Sequence, residues 1–291
     1  MTRRLGVIGA GRAGATLAAA LQRAGYPLQG VSNENLESTV CVADLLGTKA
    51  YEDPALLVQE SEVVFLAMPD RLIGDVCRQM AEAGAWKPHH VVVHLSGAED
   101  HQLLESARQG GAAVMSFHPL CSFARRERER DLLGVHFAVE GDEGAVALAR
   151  EMVGALNGCL LFLPPGGKVL YHAAAVVASN YLVALAHWAS DLLEHIGIDT
   201  DRGLEALLPL MEGTVENLRE VGLPEALTGP VARGDVATVM RHLQALAATG
   251  QESESLYRAL GHYTTKIAQE RGLPEETAKD LNRVLASGEE R

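Results

Sequence analysis

An apolar tetrapeptide, Leu5–Ile8, runs without a break into Gly9-Ala10-Gly11-Arg12-Ala13-Gly14, and a run of small residues from Ala15 to Ala24 follows. A GxGxxG turn between a short apolar strand and a helix belongs to a parallel sheet, because the helix must cross over and pack on the strand it has just left. The first glycine permits the tight turn, the second lets a pyrophosphate approach the backbone, and the third lets the helix press on the sheet. Unpaired N–H groups at such a helix start attract phosphate. Gly9, Ala10, Gly11, Arg12, Ala13 and Gly14 are therefore read as a dinucleotide-binding turn.

The rest of the first half keeps the same rhythm. Apolar runs at Leu28–Val31, Val63–Met68, Val91–Leu95, Ala112–Ser116, Val135–Val139 and Cys159–Leu163 are expected as strands. Helical patterns lie between them at Ala13–Ala24, Asn35–Leu46, Leu72–Ala83, Asp100–Gln109 and Glu143–Leu156. Continuous apolar runs suit parallel strands buried on both faces, and the alternation predicts a doubly wound α/β sheet. After Pro164-Pro165-Gly166-Gly167 the strand signal stops, and helical runs follow near 168–196, 200–220, 235–248, 253–271 and 275–287. Asp199 and Asp235 are expected N-caps, and Gly197 and Gly272 expected C-terminal stops. We expect a dinucleotide-binding α/β domain over 1–165 and an all-helical second domain over 166–291.

Which dinucleotide fits depends on the end of the second strand, where an acidic residue would hold an NAD ribose. This chain has Ser32-Asn33 there, with Glu34 a step late, so NADP is expected and NAD is the alternative. Doubly wound folds place ligands beyond the carboxyl ends of the strands. That edge carries Met68-Pro69-Asp70 after one strand, His94-Leu95-Ser96-Gly97 after the next and His118 at the end of a third. Asp70 reads equally well as a cap for the following helix. Ser96 lies outside any GxSxG elbow, which argues against a Ser–His hydrolase.

A second cluster opens the helical half. At helical spacing His172 lies roughly 40° from Lys168 around the axis and Ser179 roughly 20°, with Asn180 beside it. A polar stripe on a helix of Ala, Val and Leu needs partners or faces a cleft. Lys168 and His172 are the candidate catalytic residues; Ser179, Asn180, His118, Ser96 and Arg233 are candidate substrate contacts. Arg233 qualifies because a guanidinium in the turn-rich loop Gly229–Gly234 suits carboxylate recognition. His187, Asp191 and His195 also share a helical face, but with no HExxH and no further ligand in sight no metal is expected.

Composition excludes several classes. Of 291 residues, 25 are Lys or Arg and 38 Asp or Glu, a net charge of -13, and aromatics make up 4%. Nucleic-acid binding needs clustered basic residues and stacking platforms, so it is not expected. The four cysteines form no CxxC, and no signal peptide or transmembrane run is apparent, so reduced thiols in the cytoplasm are expected. A dinucleotide is itself a polyanion, so its site must be locally neutral or positive within an acidic protein.

The motifs GVIGAGRAG, AMPD, HLSGA, FHPL, YHAAAVVASNY and ALTGPVARGD occur in that order. Together they resemble a bacterial family with a Rossmann-like N-terminal domain and a C-terminal domain of unknown function, whose members are often described as deazaflavin-dependent NADP oxidoreductase-like. More distantly the chain is similar to ketopantoate reductase, pyrroline-5-carboxylate reductase and the β-hydroxyacid dehydrogenases, and its helical half to the C-terminal domain of 6-phosphogluconate dehydrogenase. The resemblance implies NADP on the first domain, a small substrate in the interdomain cleft and a homodimer built through the helical domain. The hydroxyacid dehydrogenases and ketopantoate reductase place Asn four residues after a catalytic Lys, where this chain has His172 after Lys168, so either residue is a candidate proton donor. The expected activity is hydride transfer between nicotinamide and a small carbonyl, hydroxyl or imine; the alternative is a sensor that binds NADP(H) without turnover.

Overall fold

The computed structural model describes residues 3–123 and 132–286. Among these residues eight strands form one sheet in the order β3-β2-β1-β4-β5-β6-β7-β8. They are β1 (Leu5–Ile8), β2 (Leu28–Ser32), β3 (Lys49–Ala50), β4 (Val63–Leu66), β5 (Val91–His94), β6 (Ala113–Pro119), β7 (His136–Gly141) and β8 (Cys159–Phe162). The helices between them are α1 (Arg12–Arg23), α2 (Leu36–Leu46), α3 (Pro54–Glu60), α4 (Asp70–Glu82), α5 (Glu105–Gln109) and α6 (Glu143–Ala155), with a 3-10 turn at His101–Leu104. Chain order reverses direction between β1 and β4, which is the switch point where doubly wound sheets bind their ligands.

The apolar runs bury both faces of the sheet. In β4, Val63 and Phe65 enter one core with Leu5, Val7, Leu17 and Phe117. Val64 and Leu66 enter the other with Leu57, Ile73, Trp86 and Leu104. The two-residue strand period sends alternate side chains to opposite layers, so neither face tolerates a polar residue there.

Three features depart from the sequence reading. β7 pairs antiparallel with β6, while β1, β4, β5 and β6 are mutually parallel. Hydrophobic patterning reports burial and carries no strand direction. β3 and α3 were not anticipated; one is two residues long and the other seven. The helix expected over 168–196 is broken at Ser179 into α7 (Lys168–Ala178) and α8 (Asn180–Glu194).

The chain divides into two compact units, Met1–Ser179 and Asn180–Arg291. Helix α7 therefore belongs with the sheet, although its composition matches the helices after it. The second unit contains α8, α9 (Thr200–Glu220), α10 (Val236–Leu246), α11 (Gln251–Glu270) and α12 (Glu275–Ala286). Its core is small: Val231, Val239, Leu243, Ala268, Leu281 and Leu285. Asp199 and Asp235 cap α9 and α10 by accepting from the backbone N–H of Arg202 and Thr238. Gly197 and Gly272 adopt positive φ after α8 and α11, as helix ends require.

The close approach of α1 to the sheet rests on Gly14, where an added Cβ would stand 2.5 Å from the Cβ of Ala67. A Gly14→Val substitution is expected to lower the unfolding free energy by about 1–3 kcal/mol through overpacking, measured by urea denaturation.

Candidate functional site

The glycine turn has the geometry its sequence implies. Gly9 has φ +78, and a side chain there would meet Met68 Cβ at 2.7 Å. Gly11 has nothing closer than 3.9 Å to its virtual Cβ, so its surface is open. The N-terminus of α1 receives no side-chain cap and carries no acidic residue in its first turn. Caps are supplied to α2, α3, α9 and α10 by Asn35, Asp53, Asp199 and Asp235, while α4, α6, α7 and α11 lack them as α1 does. An uncapped helix start beside an open glycine suits a phosphate, since N–H dipoles and macrodipole both favour an anion there. At the end of β2, Ser32 is buried and its carbonyl accepts from Gly9 N–H. The Asn33 side-chain amide donates to the carbonyl of Ser38.

The strand edge continues through residues 68–70 to the loop after β5. Pro69 stands at the N-cap of α4, and Asp70 is its first residue. The Asp70 carboxylate does more than begin a helix: it accepts from Ser96 Oγ at 2.8 Å. Ser96 Oγ in turn accepts from the backbone N–H of Glu99 at 2.9 Å and of Ala98 at 3.2 Å. Ser96 is thus engaged in shaping the Ser96–Glu99 turn, and it presents its carbonyl to the interior. His94 lies beneath, with Nδ1 accepting from Ser96 N–H and Nε2 on the carbonyl of Asp100.

That carbonyl receives the most unusual group in the unit. Lys168, 3% exposed, donates from Nζ to Ser96 O at 2.6 Å. Burial pushes the ammonium down to about 8, against the pull of Glu140, Asp70, Asp100 and Glu99, whose charges favour the protonated form. One turn further along α7, Tyr171 OH lies 2.7 Å from His118 Nδ1. The rings of His118 and His172 are 6.3 Å apart and nearly perpendicular. Both lean over Gly97: a Cβ there would stand 2.5 Å from His172 Nδ1 and 3.0 Å from His118 Nε2. His172 Nδ1 is buried with no hydrogen-bond partner among the described residues. Burial, with help from the charges of Lys168 and His172, lowers His118 to about 4, so its ring is neutral at pH 7.

Lys168, His172, His118 and Ser96, drawn from three separate segments, therefore meet around Gly97 within one compact unit. Asp70 joins them through Ser96. Ser179 and Asn180 are exposed and lie at the break between α7 and α8. Arg233 is exposed in the second unit. Tyr171 was missed, because it reads as one more apolar residue in a helix; its position three residues after Lys168 places it beside the polar stripe. His187 Nδ1 lies 3.0 Å from the Asp191 carboxylate on the exposed face of α8, and His195 Nδ1 lies on the carbonyl of Asp191.

The comparisons with known proteins agree with this architecture. Residues 2–119 match the Rossmann-like domain model, and residues 135–264 match a domain of unknown function, DUF2520. The chain therefore carries a Rossmann-like domain followed by a DUF2520 domain, as its motifs suggest. Its fold is similar to that of the Bacteroides fragilis protein BF3122, provisionally named an NADP oxidoreductase, at 22% identity and TM-score 0.72, covering 91% of this chain and 98% of that one. Thermotoga maritima protein TM1727 is 25% identical with TM-score 0.69, covering 92% and 99%. A 1-pyrroline-5-carboxylate reductase from Streptococcus pyogenes shares the fold at 14% identity and TM-score 0.62, covering 98% of each chain. A search of curated proteins finds no match.

Buried histidines couple this unit to pH. Burial lowers His94 to about 3, and His90 and His118 to about 4, from 6.5. Between pH 6.5 and about 4 the unfolded chain takes up protons that the native chain refuses, so these groups favour folding above pH 6.5 and the benefit is lost as pH falls. Thermal melts are expected to show a midpoint that drops steadily across that interval. His90→Asn, which removes one such group away from the cluster, should flatten part of the drop.

Proposed function

We propose that this chain, a Rossmann-like domain continued by a DUF2520 domain, is an oxidoreductase of the cytoplasm that uses a nicotinamide dinucleotide, NADP in preference to NAD. It would move hydride between that cofactor and a small carbonyl, hydroxyl or imine compound. The observation that carries the reading is the buried ammonium of Lys168, held on the Ser96 carbonyl at the carboxyl edge of the sheet that also presents an uncapped glycine turn. The provisional name of BF3122 supports the same chemistry.

The residues divide the work as follows. Gly9, Ala10, Gly11, Arg12, Ala13 and Gly14 hold the pyrophosphate, and Met68, Pro69 and Asp70 border the dinucleotide along the strand edge. Ser32 and Asn33 stand where an acidic residue would select NAD, and the absence of one supports NADP. The bound cofactor supplies or accepts the hydride. In the reducing direction the π electrons of the substrate move onto its oxygen or nitrogen, which must then take a proton. Lys168 Nζ, poised near pH 8, both holds and releases a proton close to neutrality. His172, one turn on and unpartnered at Nδ1, is the rival donor. Ser179, Asn180 and Arg233 are proposed substrate contacts.

A second part of the reading concerns assembly. The segment Lys168–Glu194 reaches a mean hydropathy of 1.6, long and apolar enough to cross a membrane by length and composition. Within the second unit α8 and α9 leave an apolar groove of about 730 Å³, lined by Leu182, Val183, Leu204, Leu208, Met211 and Val215. The lining also includes Glu212, Glu216 and Arg219, of which Glu216 and Arg219 pair with each other along α9. We assign this apolar groove to a second copy of this chain, the homodimer through the helical half that the family resemblance implies.

Calorimetry is expected to show tighter binding of NADPH than NADH, and Lys168→Ala and His172→Ala should each reduce turnover by about 10²–10⁴-fold while the protein stays folded. Full activity in both variants would remove the assignment; tight NADPH binding without turnover on a broad metabolite panel would favour a sensor. If Lys168 is the acid, kcat/KM for reduction should fall as pH rises through about 8. Sedimentation should give a dimer that Leu208→Glu converts to monomer, whereas pelleting with lipid vesicles in place of dimerisation would overturn the homodimer.

A further inference from the structure

The Tyr171–His118 contact decides which nitrogen of His118 carries the proton. Tyr171 is pushed up to about 12 by burial, so its phenol stays protonated. His118 is neutral at pH 7, so one ring nitrogen is a bare acceptor and the other an N–H donor. A phenol is the stronger acid and an imidazole nitrogen the better acceptor, so the 2.7 Å contact is O–H donating to Nδ1. The reverse arrangement would leave the phenolic proton with no acceptor among the described residues, at the cost of an unmade hydrogen bond. The proton of His118 then sits on Nε2, the nitrogen that faces Gly97 and the Nδ1 edge of His172. Ring packing fixes the direction as well: the planes of His118 and Tyr171 meet at 83° with centroids 5.6 Å apart.

We propose that Tyr171 is a positioning residue that locks His118 as a neutral Nε2–H donor aimed over Gly97, and that this donor receives an oxygen of the substrate. The substrate class then narrows to oxo and hydroxy compounds. A carbonyl or alkoxide oxygen can accept from Nε2–H, whereas an imine takes up hydride as its iminium cation, which offers no lone pair and is repelled by the Lys168 ammonium, 5.9 Å from the Tyr171 ring on the same helix. Gly97 is the specificity element beneath, because any side chain would displace both imidazoles from the shared space. The substrate half of this inference rests on the oxidoreductase reading; the tautomer half does not.

Nitrogen-15 NMR of the full chain, labelled at its 11 histidines, tests the tautomer without any ligand. The His118 signals are identified by their loss in His118→Gln. The expected result at pH 7 is a single Nε2–H form in the native protein and a mixture of tautomers in Tyr171→Phe. A native His118 that is Nδ1–H or doubly protonated overturns the proposal, as does an unchanged spectrum in Tyr171→Phe; if that variant fails to fold, the native spectrum alone decides. NADPH-dependent reduction of a panel of small 2-oxo acids, aldehydes and cyclic imines tests the substrate. Turnover on oxo compounds, with kcat about tenfold lower and KM little changed in Tyr171→Phe, supports the proposal. Turnover on imines alone overturns the substrate class. No turnover on either, with the expected tautomer in place, removes the oxidoreductase reading and the substrate class with it, while the positioning role of Tyr171 stands.

Discussion

A buried ammonium on a backbone carbonyl organises this protein. Lys168 is almost without solvent contact, and its bond to Ser96 O joins the first turn of α7 to the loop after β5, 72 residues earlier in the chain. A charge removed from water is costly unless it is paired and hydrogen-bonded, so the surroundings must answer it. They do so at two ranges. The Ser96 carbonyl gives a direct bond, and the carboxylates of Asp70, Glu99, Asp100 and Glu140 supply negative potential around it. The Ser96 carbonyl can serve only because the turn is held by Ser96 Oγ, between Asp70 and two backbone N–H groups. With Lys168 fixed, Tyr171 and His172 follow on the same helix and meet His118 from the sheet.

The acidic surroundings refine the electrostatic expectation drawn from composition. Net charge -13 suggested that an anion would need a locally positive site. Positive potential is supplied here by the Lys168 ammonium and a helix N-terminus, while the neutral His118 ring contributes a dipole. His118 is kept neutral partly because Lys168 is charged. One cation thus suppresses another, which leaves a charged Lys168 beside a neutral His118.

Legibility in the sequence followed the physics of each element. β4 and β5 were plain, since Val63–Leu66 and Val91–Val93 are unbroken apolar runs buried on both faces. β3 makes only two ladder positions, too few for periodicity to register. The direction of β7 was hidden because burial patterns are the same for parallel and antiparallel central strands. The break at Ser179 lacks Gly and Pro, so no local signal marks it. At the site, topology alone placed Asp70, Ser96 and His118 on one edge, and helical spacing placed Lys168 with His172. What spacing could not supply was the distance between those groups across the fold. Tyr171 needed the third dimension, because only the approach of His118 distinguishes it from the Leu170 beside it, which is exposed.

The uncapped start of α1 has a thermodynamic consequence. Four other helices carry their own side-chain caps, each of the kind worth about 1 kcal/mol, and α1 does without one at the turn where a ligand would sit. A phosphate that settles there completes the helix as well as occupying a site. Ligand concentration then becomes a variable of folding: a dinucleotide at a hundred times its Kd would deepen the native well by about 2.7 kcal/mol through mass action alone. Protein that loses its ligand in a depleted cell would be the fraction most exposed to unfolding and turnover, so the abundance of this chain would track the pool of the molecule it binds.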